Sequence, residues 1–397
     1  MFSATPMIER PAPGSLRVLM VSQQMLPHVA GAELQAFRLA RSLRNCGVDA
    51  QIVSTKFARG LAGREMIEGV PVRRLAVLRG STPAAVKTSQ LISTASYVAA
   101  HPRSFDVIHG HCLSSASLGA ALGARIGRRP VIIKPSLGGP GGELRKIVDS
   151  PAARWIIPML RRVDRFAVLD QSIADELIQI GVCQERLVPV NNGIELELFR
   201  PASREERRWI RARLDLGEGP LALFVGQIIE RKGVRELLEA WRLMRTLVDN
   251  ATLVFVGDGP QAGSVRREAE QPGSKVKLLG VRRDVAELMR TADVLVLPSH
   301  NESFPNVVVE AMACGLPVVV SCSGVVQTLS IDGAAGTVVD PNSPAEIAHA
   351  LCEILRSPER REELGAGGRS LVERFDFHQV ARHYLSIYQS MIESYRR

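Results

Sequence analysis

The sequence predicts an α/β protein made of two doubly wound, Rossmann-like parallel-sheet domains. Three observations predict it. Short apolar runs alternate with segments whose apolar residues recur at helical spacing, which is the rhythm of βαβ units. That rhythm pauses at the turn signal Asn191-Asn192-Gly193 and then restarts. The length of 397 residues, with 46% hydrophobic and 23% charged, suffices for more than one core of ordinary size.

Residues 1–15, including Arg10-Pro11-Ala12-Pro13-Gly14, read as a flexible leader without the basic-then-apolar pattern of a signal peptide. Residues 16–21 form the first strand. Gly31-Ala32-Glu33 opens a helix with apolar positions at Leu34, Phe37, Leu39, Ala40 and Leu43, ending near Asn45-Cys46-Gly47. Further strands are expected at 50–53, 106–109, 131–133, 165–169 and 187–190. In the second half, Ser203-Arg204-Glu205-Glu206 has the spacing of a capping box and opens a charged helix that ends before Gly217. New strands follow at 222–225, 252–256, 276–279, 294–297, 318–320 and 337–339, with helices at 234–247 and 284–289 between them. The final segment, 377–395, carries Val380, Tyr384, Ile387, Tyr388 and Met391 at helical spacing. The expected domains are 16–192 and 193–375, with 376–397 a terminal helix packing back toward the first domain.

The charge is uneven. Residues 1–200 hold 25 Lys and Arg against 15 Asp and Glu, a net +10, while the remainder is −1. A basic half serves a phosphorylated substrate, an anionic membrane or nucleic acid, or is an Arg-rich surface. Nucleic acid is the weakest partner of these: no zinc-finger spacing or RNA-recognition motif occurs and only 5% of residues are aromatic. The six cysteines are scattered without a Cys-x-x-Cys, as in a reduced, cytoplasmic protein. No apolar run is long enough to span a bilayer.

The chemistry concentrates around Glu302-Ser303-Phe304-Pro305-Asn306-Val307-Val308-Val309-Glu310 and the following Ala311-Met312-Ala313-Cys314-Gly315-Leu316-Pro317. One acid follows a buried-strand run and the other lies inside a helix. A helix start between two carboxylates suits a ligand carrying both phosphate and hydroxyl groups. In open parallel sheets such ligands bind beyond the carboxyl ends of the strands. The strand-end loops here are Gly226-Gln227-Ile228-Ile229-Glu230-Arg231-Lys232-Gly233, Gly257-Asp258-Gly259-Pro260, Gly280-Val281-Arg282-Arg283 and Pro298-Ser299-His300-Asn301-Glu302. Their glycines and Lys232 let backbone amides and one ammonium approach a diphosphate.

These motifs, in this order, resemble family 4 of the retaining glycosyltransferases (glycosyltransferase group 1), which have the GT-B fold of two Rossmann-like domains with a cleft between them. The resemblance is dense from Leu221 to Asp340 and looser in the first half, where Gly31-Ala32-Glu33 and Asp106-Val107-Ile108-His109-Gly110-His111 match roughly. It implies transfer of a sugar from a nucleotide-diphosphate-sugar donor, held by the second domain, to an acceptor hydroxyl on the first. By that resemblance Glu302 holds donor sugar hydroxyls, Glu310 the ribose, and Lys232 the diphosphate. The backbone around Phe304, Pro305, Asn306 and Val307 and the loops at Gly226, Gly257, Gly280 and Val281 complete the donor site. A histidine facing the donor sugar is implied at His111, favoured over His109. Gly31, Ala32, His109, Ser136, Gly138 and Gly139 fall in the acceptor or phosphate loops. No Asp-x-Asp occurs, in keeping with a reaction that needs neither metal nor cofactor, Lys232 supplying the charge.

Three departures stand out. Gln227 replaces the family's usual arginine, and Arg231 is the nearest substitute. Ser323-Gly324-Val325-Val326-Gln327 lacks a glycine and an acid. Lys134-Pro135-Ser136-Leu137-Gly138-Gly139-Pro140-Gly141-Gly142 replaces a His-Gly pair and reads as a flexible acceptor loop. These leave open a nucleotide-sugar-binding partner subunit that has lost transfer, and a nucleotide-sugar epimerase is a third reading. The expected partners are the donor, a glycan or lipid-linked acceptor and an anionic membrane surface, at the inner face of the plasma membrane. The membrane reading rests on Asp149-Ser150-Pro151, a helix-start signal, followed by Arg154-Trp155-Ile156-Ile157-Pro158-Met159-Leu160-Arg161-Arg162. The same segment also fits a Pro-kinked helix packed on the sheet with its arginines outward.

Overall fold

The computed structural model describes residues 14–26, 31–80, 82–321, 324, 326, 329 and 331–396. Most of the expected leader, residues 1–13, lies outside them, as do Ser323, Val325 and Gln327. In chain order the elements begin β1 (Arg17–Val21), α1 (Gly31–Asn45), β2 (Asp49–Thr55), β3 (Arg64–Ile67), β4 (Val70–Leu75), α2 (Pro83–Ala100) and β5 (Val107–His111). They continue with α3 (Ser115–Gly127), β6 (Val131–Lys134), α4 (Glu143–Val148), α5 (Ala153–Leu160), β7 (Arg165–Val168), α6 (Gln171–Gln179) and β8 (Leu187–Pro189). Next come α7 (Arg204–Arg213), β9 (Leu221–Val225), α8 (Val234–Met244), β10 (Thr252–Val256), α9 (Ala262–Ala269), β11 (Val276–Leu278) and α10 (Val285–Thr291). The last are β12 (Val294–Leu297), α11 (Asn306–Ala313), β13 (Val318–Ser321), β14 (Gly336–Val339), α12 (Pro344–Arg356), α13 (Pro358–Val372) and α14 (Phe377–Arg396). Two compact units result: Met1–Gly193 with Phe377–Arg397, and Ile194–Asp376.

In the first unit, eight strands run in the order β3-β4-β2-β1-β5-β6-β7-β8. Val18, Leu19, Met20, Ile52, Val107, Ile132, Ile133 and Phe166 are buried, as continuous apolar strands covered on both faces must be. One edge differs from the expected parallel sheet: β3 pairs antiparallel with β4 through a turn at Glu68-Gly69, both at positive φ. The period-two burial of Val70, Val72 and Arg74 in β4 is the half-buried edge pattern that fully apolar runs do not show. Tyr384 and Tyr388 of α14 are fully buried in this unit, and Ser42 Oγ of α1 donates to Phe377 O at 3.0 Å. The helix-start signal Asp149-Ser150-Pro151 is followed by α5, which begins at Ala153, while Asp149 also closes α4.

In the second unit, six parallel strands run in the order β11-β10-β9-β12-β13-β14. Ser203 caps α7, its side chain accepting from the Glu206 amide at 3.1 Å. The helix is tied to the sheet by one buried carboxylate, Asp293. It accepts from Arg207 Nη2 at 2.7 Å, Arg211 Nη2 at 2.8 Å and the Leu221 amide at 2.8 Å, with Arg361 Nε at 3.2 Å. Three guanidiniums on one carboxylate offset its desolvation.

Candidate functional site

Each sheet reverses its winding at one place, and a ligand crevice opens beyond the strand ends there. In the second unit the reversal lies between the neighbours β9 and β12. The loop after β9 holds Arg231 and Lys232; the loop after β12 holds Glu302. Strand order, not sequence proximity, therefore brings these side chains together. Lys232 Nζ lies 2.5 Å from Glu302 Oε1, and Arg231 Nη1 donates to the same oxygen at 3.0 Å. The Glu302 and Lys232 side chains are each only 12% exposed. Arg231 also donates to Asn301 O, and the His300 amide donates to Arg231 O at 2.8 Å, so the two loops are laced together. Two cations on one carboxylate leave an excess of positive charge, suited to an anion. Gln227, by contrast, is exposed, so Arg231 is the guanidinium that reaches this cluster.

The glycines let the loops approach. Gly233 sits at φ +68, and an added Cβ would lie 2.1 Å from Pro298 O. Gly257 sits at φ +138, and its Cβ would lie 1.9 Å from Gly226 O. Only glycine fits either place. Helix α11 starts at Asn306 without a side-chain cap, so its first turn presents backbone amides and the positive end of the helix dipole. Phe304 is buried edge-on against Phe375 and fixes the approach to that helix through Pro305 to Val307. Glu310 is buried on α11, one turn in. Gly257, Gly280 and Val281 line a pocket of about 450 Å³ with Asp258, Arg266 and Glu270. Val281 is 75% exposed there.

In the first unit the reversal lies between β1 and β5. Gly31 and Ala32 open α1 after β1, and His111 ends β5. His109, expected at the end of a strand and grouped with the acceptor or phosphate loops, lies inside β5, fully buried, with Nδ1 2.7 Å from the Tyr388 hydroxyl. Residues two apart on a strand share a face, so His111 stacks on it with ring centroids 4.2 Å apart. Neither Nε2 has a partner, and both are shielded from water. Burial, reinforced by the charge on Lys134, lowers the His109 pKa to about 3 and holds His111 well below the usual value, with His109 adding to the effect there.

Lys134 lies opposite His111 in the β5–β6 register. Burial lowers its pKa to about 8, and its Nζ donates to Asn192 Oδ1 at 2.5 Å. The glycine-rich loop after it is not the flexible element expected. Glu143 accepts from the Leu113 amide at 2.8 Å and from the Ser136 hydroxyl at 2.5 Å, and the Gly139 amide donates to Glu176 at 3.0 Å. Gly138 is buried beside Ser172 and Ile173. Sequence reasoning singled out Ser136, Gly138 and Gly139 but missed Lys134, Glu143 and Asn192 as an organised set. The signal was a lysine ending an otherwise apolar strand. Of the variant loop near Gly324, only Gly324 and Val326 are described. An added Cβ at Gly324 would lie 2.1 Å from Glu302 O.

Known proteins resemble this chain over nearly all its length. The family described as glycosyl transferases group 1 matches residues 206–371, and the glycosyl transferase 4-like domain matches residues 30–193. A D-inositol 3-phosphate glycosyltransferase of Catenulispora acidiphila is 30% identical over 398 residues, covering 92% of each chain. Among solved structures, Anabaena HepE in complex with UDP and glucose has a TM-score of 0.77 at 21% identity, over 94% of this chain and 100% of that one. Sucrose-phosphate synthase from Thermosynechococcus elongatus has a TM-score of 0.76 at 22% identity, over 96% of this chain and 100% of that one. These two likenesses establish the GT-B fold.

Proposed function

Because this chain belongs to the group 1 glycosyltransferases, which take sugars from nucleotide donors, we propose that its second unit holds a nucleoside-diphosphate sugar around Glu302. The observation that carries the assignment is the cluster of Lys232 and Arg231 on Glu302 at the winding reversal, beside the start of α11. In this reading Lys232, Arg231 and the amides of Phe304, Asn306 and Val307 face the diphosphate. Charge develops there as the anomeric carbon–oxygen bond breaks, so preorganised cations and dipoles lower the barrier. Glu302 takes sugar hydroxyls and Glu310 the ribose. The acceptor oxygen bonds to the anomeric carbon on the face the leaving group vacates, its proton passes to the departing phosphate, and configuration is retained. Lys232 and Arg231 supply the neutralising charge without a metal. UDP and glucose are bound by HepE, which makes UDP-glucose the first donor to test.

In the first unit, Gly31, Ala32, Ser136, Gly138 and Gly139 line the acceptor side, and His111 touches a sugar hydroxyl as a neutral hydrogen-bonding group. Its depressed pKa supports that role over one as an imidazolium. The acceptor is a glycan or lipid-linked hydroxyl, and the curated relative's name adds D-inositol 3-phosphate to the panel. The non-catalytic reading is not favoured, since the relatives are glycosyltransferases and Arg231 supplies beside Glu302 a guanidinium that Gln227 lacks.

Membrane association belongs to the same proposal. Among the described residues no helix is long and apolar enough to cross a membrane. The first unit instead exposes Trp155 at 68% on α5 and Ile126 at 72% on α3, two helices in contact, with exposed arginines close by in sequence: Arg154, Arg161 and Arg162 by the one, Arg125 and Arg128 by the other. Exposed apolar side chains beside guanidiniums suit an anionic lipid surface.

Turnover is tested by nucleoside diphosphate release from UDP-, GDP- and ADP-sugars, with and without acceptors and with and without EDTA. Activity on at least one donor, undiminished by EDTA and strongly reduced in Glu302→Ala, is expected; wild-type rates in that variant refute the site. Vesicles of phosphatidylglycerol should sediment the protein and those of phosphatidylcholine should not. Equal sedimentation of Trp155→Ser/Arg154→Glu refutes the membrane face.

A further inference from the structure

A second groove lies on the helical side of the second unit, between α8 and α9. It encloses about 350 Å³, within the range of small-molecule sites. Val234 and Leu238, both buried, form an apolar floor. Three guanidiniums, Arg235, Arg242 and Arg267, surround it, with one carboxylate, Glu268. Glu268 is 1% exposed and binds Arg242 through Oε2 alone, at 2.5 and 3.0 Å. Its Oε1 is shielded from water and has no partner, and Gln261 Oε1 is in the same condition. Arg235 and Arg267 extend further out, the one on Glu236 and the other on Ser264. The groove therefore combines three guanidiniums, of which Arg267 has no carboxylate partner, with two buried acceptors lacking a donor.

An anion alone satisfies the arginines and leaves the acceptors as they are; a neutral polyol does the reverse. A phosphate monoester of a sugar or polyol meets both, with the phosphate on Arg235 and Arg267 and hydroxyls donating to Glu268 and Gln261. The groove also touches the proposed donor site from behind. The Gln261 amide donates to Ile228 O at 2.9 Å, the Ile228 amide donates to Asp258 O at 2.9 Å, and Val234 follows Lys232-Gly233 directly.

We propose that this groove is a regulatory site for a phosphorylated sugar or polyol, whose occupancy shifts the loop carrying Lys232 and so the affinity for the donor nucleotide. The coupling rests on the donor site proposed above; the groove itself does not.

Titration calorimetry with glucose 6-phosphate tests it on the full chain, in three forms: wild type, Arg235→Glu/Arg267→Glu and Lys232→Ala. Saturable binding is expected in the wild type, weakened at least tenfold by the double charge reversal and kept in Lys232→Ala. The UDP dissociation constant should change severalfold when glucose 6-phosphate is saturating, and should not change in the double variant. Absence of saturable binding at millimolar concentration overturns the site. So does equal binding by the double variant, or loss in Lys232→Ala alone, which places the phosphate at the donor loop. Inorganic phosphate binding as tightly as the sugar phosphate overturns the polyol part, and an unchanged UDP affinity overturns the coupling. Failure of the donor assignment itself reads out separately, as UDP binding unaffected by Lys232→Ala.

Discussion

Mild acid should destabilise the first unit through two histidines. His109 and His111 stack in β5 against buried tyrosines, and their folded-state pKa values are depressed, that of His109 to about 3. An unfolded histidine titrates near 6.5. The unfolded chain therefore binds protons that the native chain refuses, so stability is intact above neutrality and falls as the pH drops through 6.5. The fall continues until about pH 3, where His109 charges in the fold. Between about pH 7 and pH 5 the loss is about 2 kcal/mol for His109, and His111 adds to it in the same direction. A domain with about 5–15 kcal/mol of stability feels that strongly. Toward the acid end Glu176 works the other way, since burial raises its pKa and it favours the fold as the pH falls. The carboxylates held low by arginines, such as Asp106, Glu206 and Asp284, lose their contribution only in stronger acid. Lys134 contributes between about pH 8 and its unfolded value, again with stability rising with pH. Calorimetry of the full chain at pH 7, 6 and 5 should show the transition of the first unit moving down steeply. His109→Gln/His111→Gln should flatten that slope, since glutamine keeps a partner for Tyr388 but does not titrate. A flat wild-type profile, or an equal slope in the double variant, refutes the reasoning. Imidazole NMR gives an independent reading: His109 and His111 resonances that titrate near pH 6.5 in the native protein refute it as well.

Three further outcomes are expected. Lys232→Met removes the ammonium proposed to face the donor diphosphate and should weaken UDP binding by about 1.5–3 kcal/mol, roughly 10–150-fold, with the circular dichroism unchanged; calorimetric titration measures it. Gly257→Ala places a Cβ 1.9 Å from Gly226 O at φ +138, and should cost about 1–3 kcal/mol of stability while weakening UDP binding through the displaced loop. Asp293→Ala strands Arg211, whose side chain is 10% exposed, without its carboxylate and should cost about 3–5 kcal/mol, read as a lower urea midpoint of the second unit.

How legible the molecule was depended on the kind of signal. Fully apolar runs such as 252–256 and 294–297 were placed as strands because burial on both faces leaves no polar residue to blur them. The β3–β4 pair was missed because Arg64-Glu65-Met66-Ile67 is an exposed edge whose mixed composition looks like loop. Asp149-Ser150-Pro151 stands between two helices, closing α4 as well as preceding α5, because such residues close one helix as readily as they open the next. His109 and His111 look alike in sequence; only the packing of α14 gives one of them a tyrosine partner inside the core.

By itself, the sequence determined the two-domain α/β plan, the glycine loops and the pair of acids, because periodicity and local backbone demands are written residue by residue. It also carried the family resemblance that the relatives bear out. Tertiary structure alone decided which charges meet. Arg231 and Lys232 lie 70 or more residues from Glu302 in the chain, and their loops converge because β9 and β12 are neighbours in the sheet. The same holds for Lys134 and Asn192, 58 residues apart. Long-range electrostatics depends on strand order, which no local pattern encodes: the sequence offers Arg231 as the substitute for the guanidinium absent at Gln227, and the sheet decides that it reaches Glu302.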